Sequence, residues 1–173
     1  ATGAEMRRTC ALLGRRGIRG FAPTLLTDHP DHLMEACSRW GDFIASIMAG
    51  HVSLPKFSAL PLGLHLEGPF LSPDMAGAHL PRYLKPPSRC LFDDLNAAAQ
   101  GTIAIVTLAP ELKGALPLIS HMVKEGVRVQ LGHSPAPWKD VEKGLKAGAS
   151  GLTHAFNAMR FHHRDPGLLG GLL

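Results

Sequence analysis

Residues 102–131, TIAIVTLAPELKGALPLISHMVKEGVRVQL, hold the pattern on which the fold turns. An apolar run, Thr102–Leu108, is followed by a segment long enough for a helix, Pro110–Gly126, and then by a second apolar run, Val127–Leu131. TIAIVTL is nearly continuous in its hydrophobicity, as in strands covered on both faces of a parallel sheet. Pro110 and Glu111 suit the opening turn of a helix, where a missing N–H costs nothing and an acid meets the positive dipole end. Gly126 stands where a left-handed residue would stop it. The stretch reads as strand, crossover helix, strand.

Working outward, the same unit recurs. Ile18–Thr27 (IRGFAPTLLT, interrupted by Pro23), Leu62–Leu66 (LGLHL) and Ala149–Thr153 (ASGLT) read as strands. His29–Ala49, Ser88–Gln100 and Pro135–Ala147 read as helices, with Asp28 expected to cap the first and Gly148 to end the last. The N-terminal ATGAEMRRTCALLGRRGIRG reads as folded sequence of a chain that began earlier. Strands alternating with helices predict an α/β fold with a parallel sheet. A barrel and an open doubly wound sheet both satisfy this pattern, although no G-x-G-x-x-G follows the first strand to favour a dinucleotide site.

With 173 residues, the chain is one ordinary domain or part of a larger one. It is 45% hydrophobic and 18% charged, too apolar for disorder. The 19 glycines and 14 prolines are spread without a period, as frequent turns would be. No apolar run reaches the roughly 18 residues of a membrane span. Cys10, Cys37 and Cys90 are too few and too scattered for a disulfide framework or zinc ribbon, so a reducing, cytoplasmic setting is expected. The net charge is +4, but the basic residues lie in scattered pairs such as Arg7–Arg8 and Arg15–Arg16. One Tyr and two Trp offer little on which to stack bases, so no nucleic-acid partner is expected.

The ten histidines draw more notice, because polar residues cluster just after the strands: His65–Glu67, Thr107–Glu111, Gly132–Ser134 and Thr153–Asn157. In parallel α/β folds, ligands bind at the carboxyl ends of strands. Glu67 alone would ordinarily be a solvated turn carboxylate, and His133 or His154 alone a satisfied strand-end histidine. Together, one carboxylate and two imidazoles at three strand ends would converge in a barrel and leave coordination positions open, as a catalytic zinc site requires. His79 reads as an exposed loop histidine that could donate a hydrogen bond to a substrate carbonyl. In FHHRDPG, His162, His163 and Arg164 form a cationic group, and Arg164 suits bidentate recognition of phosphate or carboxylate, with an Arg164–Asp165 turn pair as the plainer alternative. There is no nucleophile elbow, no Walker A loop, and no aspartate expected at a strand end. Metal-assisted hydrolysis is the chemistry these residues favour.

The motifs GLHLEGPFL, GAH, VTLAPE, GHS, THAFNAM and HHRDPG, in that order, resemble the N-acetylglucosamine-6-phosphate deacetylases of the amidohydrolase superfamily. GFAPTLLT is similar to that family's second-strand segment. The resemblance implies a partial TIM (β/α)8 barrel, about strands two to six with their helices. Residues 1–173 would then form an incomplete metal-dependent hydrolase domain, lacking the family's N- and C-terminal parts and the aspartate that acts as general acid/base. It implies that Glu67, His133 and His154 bind a divalent metal, zinc by preference, and that Ala78 and His79 meet the acetamide, with His79 polarising its carbonyl. Asn157 and Ala158 would contact the sugar through backbone groups, and Arg164 the phosphate, across a homodimer interface. The implied reaction yields glucosamine 6-phosphate and acetate. HLEGPF and HHRDPG argue against another amidohydrolase. A non-catalytic remnant or metal-binding fragment remains the competing expectation.

Overall fold

The computed structural model describes residues 2–172. Five helices alternate with seven strands: α1 Gly3–Arg15, β1 Gly20–Phe21, β2 Thr24–Leu26, α2 Pro30–Met48, β3 Leu60–Pro61, β4 Leu64–Glu67, α3 Arg89–Ala98, β5 Ile103–Leu108, α4 Ala115–Lys124, β6 Arg128–Leu131, α5 Trp138–Lys146 and β7 Gly151–Leu152. A 3-10 turn, Gly167–Leu172, follows. The main sheet has five parallel strands in the order β2-β4-β5-β6-β7, and β1 and β3 pair separately, also in parallel. Each neighbour in the main sheet follows the last across a connecting segment, as right-handed βαβ units dictate.

Alternation along the strands divides the sheet into two faces. Leu66, Val106, Leu108, Val129 and Leu131 point to one side and are buried with Phe92 and Leu95 of α3, Ile119 and Met122 of α4, and Val141 of α5. Helix α2 adds Leu33, Cys37 and Ile44, a stripe at near-helical spacing. The opposite face carries Thr24, His65, Glu67, Thr107 and Gln130, paired in register across the strands. One face therefore makes the core and the other is polar.

The segment read as one strand, Ile18–Thr27, is two, β1 and β2, broken at Ala22–Pro23. Pro23 cannot donate to a ladder. The third helix does not open at Pro110. It starts at Ala115 behind Gly114 at φ 90°, because residues 110–113 form a turn in which Glu111 is engaged elsewhere. Nor does Asp28 cap α2: His29 occupies the N-cap and its Nδ1 accepts the Asp31 N–H at 3.3 Å, with Pro30 in the first turn. Gly126 (φ 80°) and Gly148 (φ 113°) end their helices as expected. Helix α1 was not anticipated as a helix. Its signal is the Thr2/Glu5 capping box.

Cys10 and Cys37 are buried and Cys90 is exposed, all as free thiols. Among the described residues, no helix is long and apolar enough to cross a membrane. Strands β2 and β7 are the outer strands of the main sheet, and Leu26 on β2 is half exposed. Unpaired edges template further strand pairing. The chain is expected to self-associate, as sedimentation velocity over a concentration series would show; a monodisperse monomer with one cooperative unfolding transition would contradict this.

Candidate metal centre

Glu67 is the last residue of β4, and His133 and His154 lie two residues beyond β6 and β7. Parallel register brings their side chains together although 66 to 87 residues separate Glu67 from the histidines in sequence. Glu67 Oε1 is 2.9 Å from His133 Nε2 and 3.0 Å from His154 Nε2, and the two nitrogens are 2.9 Å apart. Glu67 is only 9% exposed and His133 4%, while His154 opens toward solvent. The plainer reading of Glu67 as a solvated carboxylate does not hold.

The backbone at both histidines is left-handed, φ 49° at His133 and 34° at His154. Such residues persist only where their surroundings over-determine them. At His133 the surroundings are visible: its carbonyl accepts the Ser72 N–H at 3.0 Å, and its Nδ1 is 2.8 Å from the Met75 carbonyl. A carbonyl only accepts, so Nδ1 carries a proton, and in neutral His133 the Nε2 lone pair faces Glu67. A lone pair and a carboxylate oxygen at 2.9 Å repel unless a proton or a cation lies between them. The donor set, one carboxylate and two imidazoles with one ring oriented by a backbone carbonyl, fits a divalent metal. Among the described residues it is the one group of three such donors whose ligand atoms lie within 4.8 Å of one another.

Hydrogen bonding to His133, and then to His79, holds the Glu67 carboxyl well below its ordinary range, against the opposing effect of burial. Burial alone would lower His133, but its bonds to Glu67 and to the Met75 carbonyl prevail and raise it. The raised histidine contributes stability that is full below about pH 6.5, and that contribution is lost as pH rises through the folded value. The lowered carboxyl contributes stability above its ordinary value and loses it only in strong acid. In chelator, the melting temperature is therefore expected to fall as pH is raised above 6.5, and saturating Zn²⁺ should reverse that slope by taking the proton's place. A His133→Gln variant with the native pH profile in chelator would refute this.

His79 is not the exposed loop residue that its sequence context suggests; it is 4% exposed. Its Nδ1 accepts the Thr27 N–H at 3.3 Å, which leaves the proton on Nε2, 4.0 Å from Glu67 Oε1. It packs edge-on to His133, with ring centroids 4.6 Å apart. The close approach of Thr27 requires Gly68 (φ 88°), where a Cβ would stand 2.2 Å from the Thr27 hydroxyl. Ala78 is exposed in the same loop.

Asn157 is exposed and its N–H bonds back to the His154 carbonyl at 3.0 Å, while the Ala158 carbonyl accepts the Ser134 N–H at 3.1 Å. Arg164, His162 and His163 are all exposed. The Arg164–Asp165 pair does not form. Asp165 Oδ1 accepts the N–H groups of Trp138 at 2.9 Å and Gly167 at 3.1 Å, so it caps α5 and leaves the guanidinium free of it. Asp28 does lie just past a strand, contrary to expectation, but its carboxylate bonds the His29 N–H and pairs with His32, on the α2 side. Sequence reasoning missed the Met75 carbonyl, Ser72 and Thr27, whose backbone groups leave no residue-type signal.

No family model matches the chain. It is 44% identical over 157 residues to the N-acetylgalactosamine-6-phosphate deacetylase of Escherichia coli O157:H7, covering 90% of this chain and 40% of that protein. It is 38% identical over 172 residues to the N-acetylglucosamine-6-phosphate deacetylase of Mus musculus, covering 92% and 39%. Among solved structures, the N-acetyl-D-glucosamine-6-phosphate deacetylase of Mycobacterium smegmatis superposes with a TM-score of 0.86 at 34% identity, over 99% of this chain and 42% of that one. A variant of the Mycobacterium smegmatis enzyme in complex with N-acetyl-D-glucosamine-6-phosphate gives a TM-score of 0.78 at 33% identity, covering 96% and 39%. The likeness to N-acetylglucosamine-6-phosphate deacetylases that the motifs carry therefore holds over nearly the whole chain, which spans about two fifths of the length of these relatives.

Proposed function

We propose that residues 1–173 are an incomplete domain, a sector of a (β/α)8 barrel covering about strands two to six, from an enzyme that hydrolyses the acetamide of N-acetyl-D-glucosamine 6-phosphate. The observation that carries this reading is the meeting of Glu67, His133 and His154 at three strand ends. These three side chains would hold the divalent metal, zinc by preference. When bound there, it supplies Lewis acidity, which lowers the pKa of water and polarises a carbonyl. His79, with its proton on Nε2, donates to the acetamide oxygen as negative charge develops on it. Ala78 lines the acetyl group, and Asn157 and Ala158 orient the sugar through their remaining backbone groups. Arg164 takes the phosphate through its two-pronged guanidinium, in a homodimer. The products are glucosamine 6-phosphate and acetate, and a reducing cytoplasm suits the free thiols.

The test is calorimetric binding of N-acetyl-D-glucosamine 6-phosphate to the Zn²⁺-loaded chain. Binding is expected to weaken by about tenfold or more when the phosphate is omitted, the size of one charge-assisted contact. Equal binding of the unphosphorylated sugar would remove the phosphosugar assignment. A metal-binding segment without turnover is the second reading, favoured by the lack of a second carboxylate in the cluster among the described residues.

A further inference from the structure

The polar face of the sheet carries an unbroken chain of side-chain hydrogen bonds directly beneath the metal centre. The Thr153 hydroxyl donates to Gln130 Oε1 at 2.9 Å. Its single proton is thereby used, so in its 2.6 Å contact with the Thr107 hydroxyl the Thr153 oxygen accepts. Thr107 has then spent its own proton, and it accepts from His65 Nε2–H at 2.7 Å. The remaining lone pair, on His65 Nδ1, faces the Thr24 hydroxyl at 3.1 Å, whose one proton it shares with the Ala22 carbonyl at 3.4 Å. Four hydrogen bonds run one way across the sheet, from β2 through β4 and β5 to Thr153 and Gln130, and they require the Nε2–H tautomer of His65.

Each link stands beside a proposed ligand. His65 lies two residues before Glu67 on the same face of β4, and Thr107 is the register partner of Glu67 on β5. The Thr107 carbonyl also accepts the Gly68 N–H at 3.1 Å. Thr153 immediately precedes His154, whose left-handed backbone needs external support. Thr107 is fully buried and Thr153 nearly so, so a broken link leaves a donor or acceptor with no water to replace its partner.

We infer that His65 is a positioning residue, which through Thr107 and Thr153 holds the strand ends bearing Glu67 and His154 at metal-binding separation. This inference rests on the metal reading of the cluster. The experiment is Co²⁺ affinity of the chain by competition with a chelator, with the visible Co²⁺ spectrum reporting ligand geometry. His65→Leu, and the near-isosteric Thr107→Val, are expected to weaken Co²⁺ about tenfold, the low end of what loss of a ligand's supporting hydrogen bond costs, and to alter the spectrum. His65→Gln, which can return an N–H near the Nε2 position, should restore both. Thr24→Val removes only the terminal link and should bind as the native chain does. Native affinity in His65→Leu and Thr107→Val, or a His65→Gln protein as weak as His65→Leu, would overturn the positioning role. Failure of the native chain itself to bind Co²⁺ would overturn the metal reading instead, and the inference with it.

Discussion

Glu67→Gln is expected to abolish divalent-metal binding by the chain while leaving its fold intact. Loss of a hydrogen-bond partner one step removed from a ligand costs about 10–100-fold in affinity, and loss of the charged ligand itself should exceed that range. Glu67 is the one carboxylate in the cluster, and its Oε1 is within 3.0 Å of both imidazole nitrogens. The glutamine amide keeps the volume of the side chain but carries no negative charge to offset a dication in a site only 9% exposed. The change also removes the main influence that raises His133, so the pH dependence of stability in chelator should flatten. Isothermal titration with Zn²⁺ measures the first effect and thermal melting the second. Glu111→Gln is the control: Glu111 is part-buried and its carboxyl is raised from its ordinary value by desolvation, but its bond is to Ser134. Retention of native Zn²⁺ affinity by Glu67→Gln would mean that the two histidines bind without it and that the proposed ligand set is wrong.

Zn²⁺-loaded chain is expected to release acetate from N-acetyl-D-glucosamine 6-phosphate at least about 10⁴-fold more slowly than a full-length relative such as the Mus musculus deacetylase. Breaking the carbon–nitrogen bond requires a proton for the departing amine. On the proposed assignment Glu67 is committed to the metal, and no second carboxylate joins the cluster among the described residues. A positioned general acid is worth about 10²–10⁴ in rate. A loss of near-attack geometry by about 1 Å costs another factor of about 10². His79 carries a proton on Nε2, but on the proposed assignment that proton serves the carbonyl oxygen, and a neutral imidazole is a poor acid. Acetate release by both proteins under identical conditions decides the matter. Turnover by this chain close to that of the full-length enzyme would make His79 the acid, and His79→Asn should then abolish it.

Much of this was legible before any coordinates. The alternation of apolar runs with helix-length segments located four of the five helices and the parallel sheet, since period and length depend on near neighbours in the chain. Helix ends at Gly126 and Gly148 were readable because a left-handed stop is a local need that glycine meets. Local reading failed where a side chain found a distant partner. Glu111 leaves the start of α4 to bond Ser134, 23 residues on, and Asp165 abandons its neighbour Arg164 for the N–H of Trp138, 27 residues back.

By itself, the sequence determined the alternation of the main-sheet strands with α2 to α5, and the chemical types available just after those strands: a carboxylate, two imidazoles, a third histidine in a loop and an arginine beyond them. Only the tertiary structure decided which atoms meet and in what state. Strand-end position says that Glu67, His133 and His154 lie on one rim, but their 2.9–3.0 Å triangle depends on parallel register and on two left-handed turns, of which the one at His133 is held by Ser72 and Met75. The burial of His79, its Nε2–H tautomer and the direction of the His65 chain follow likewise from partners 23 to 52 residues away. Periodicity is a property of a few adjacent residues, whereas burial, tautomer and ligand convergence are set by the whole packed sheet.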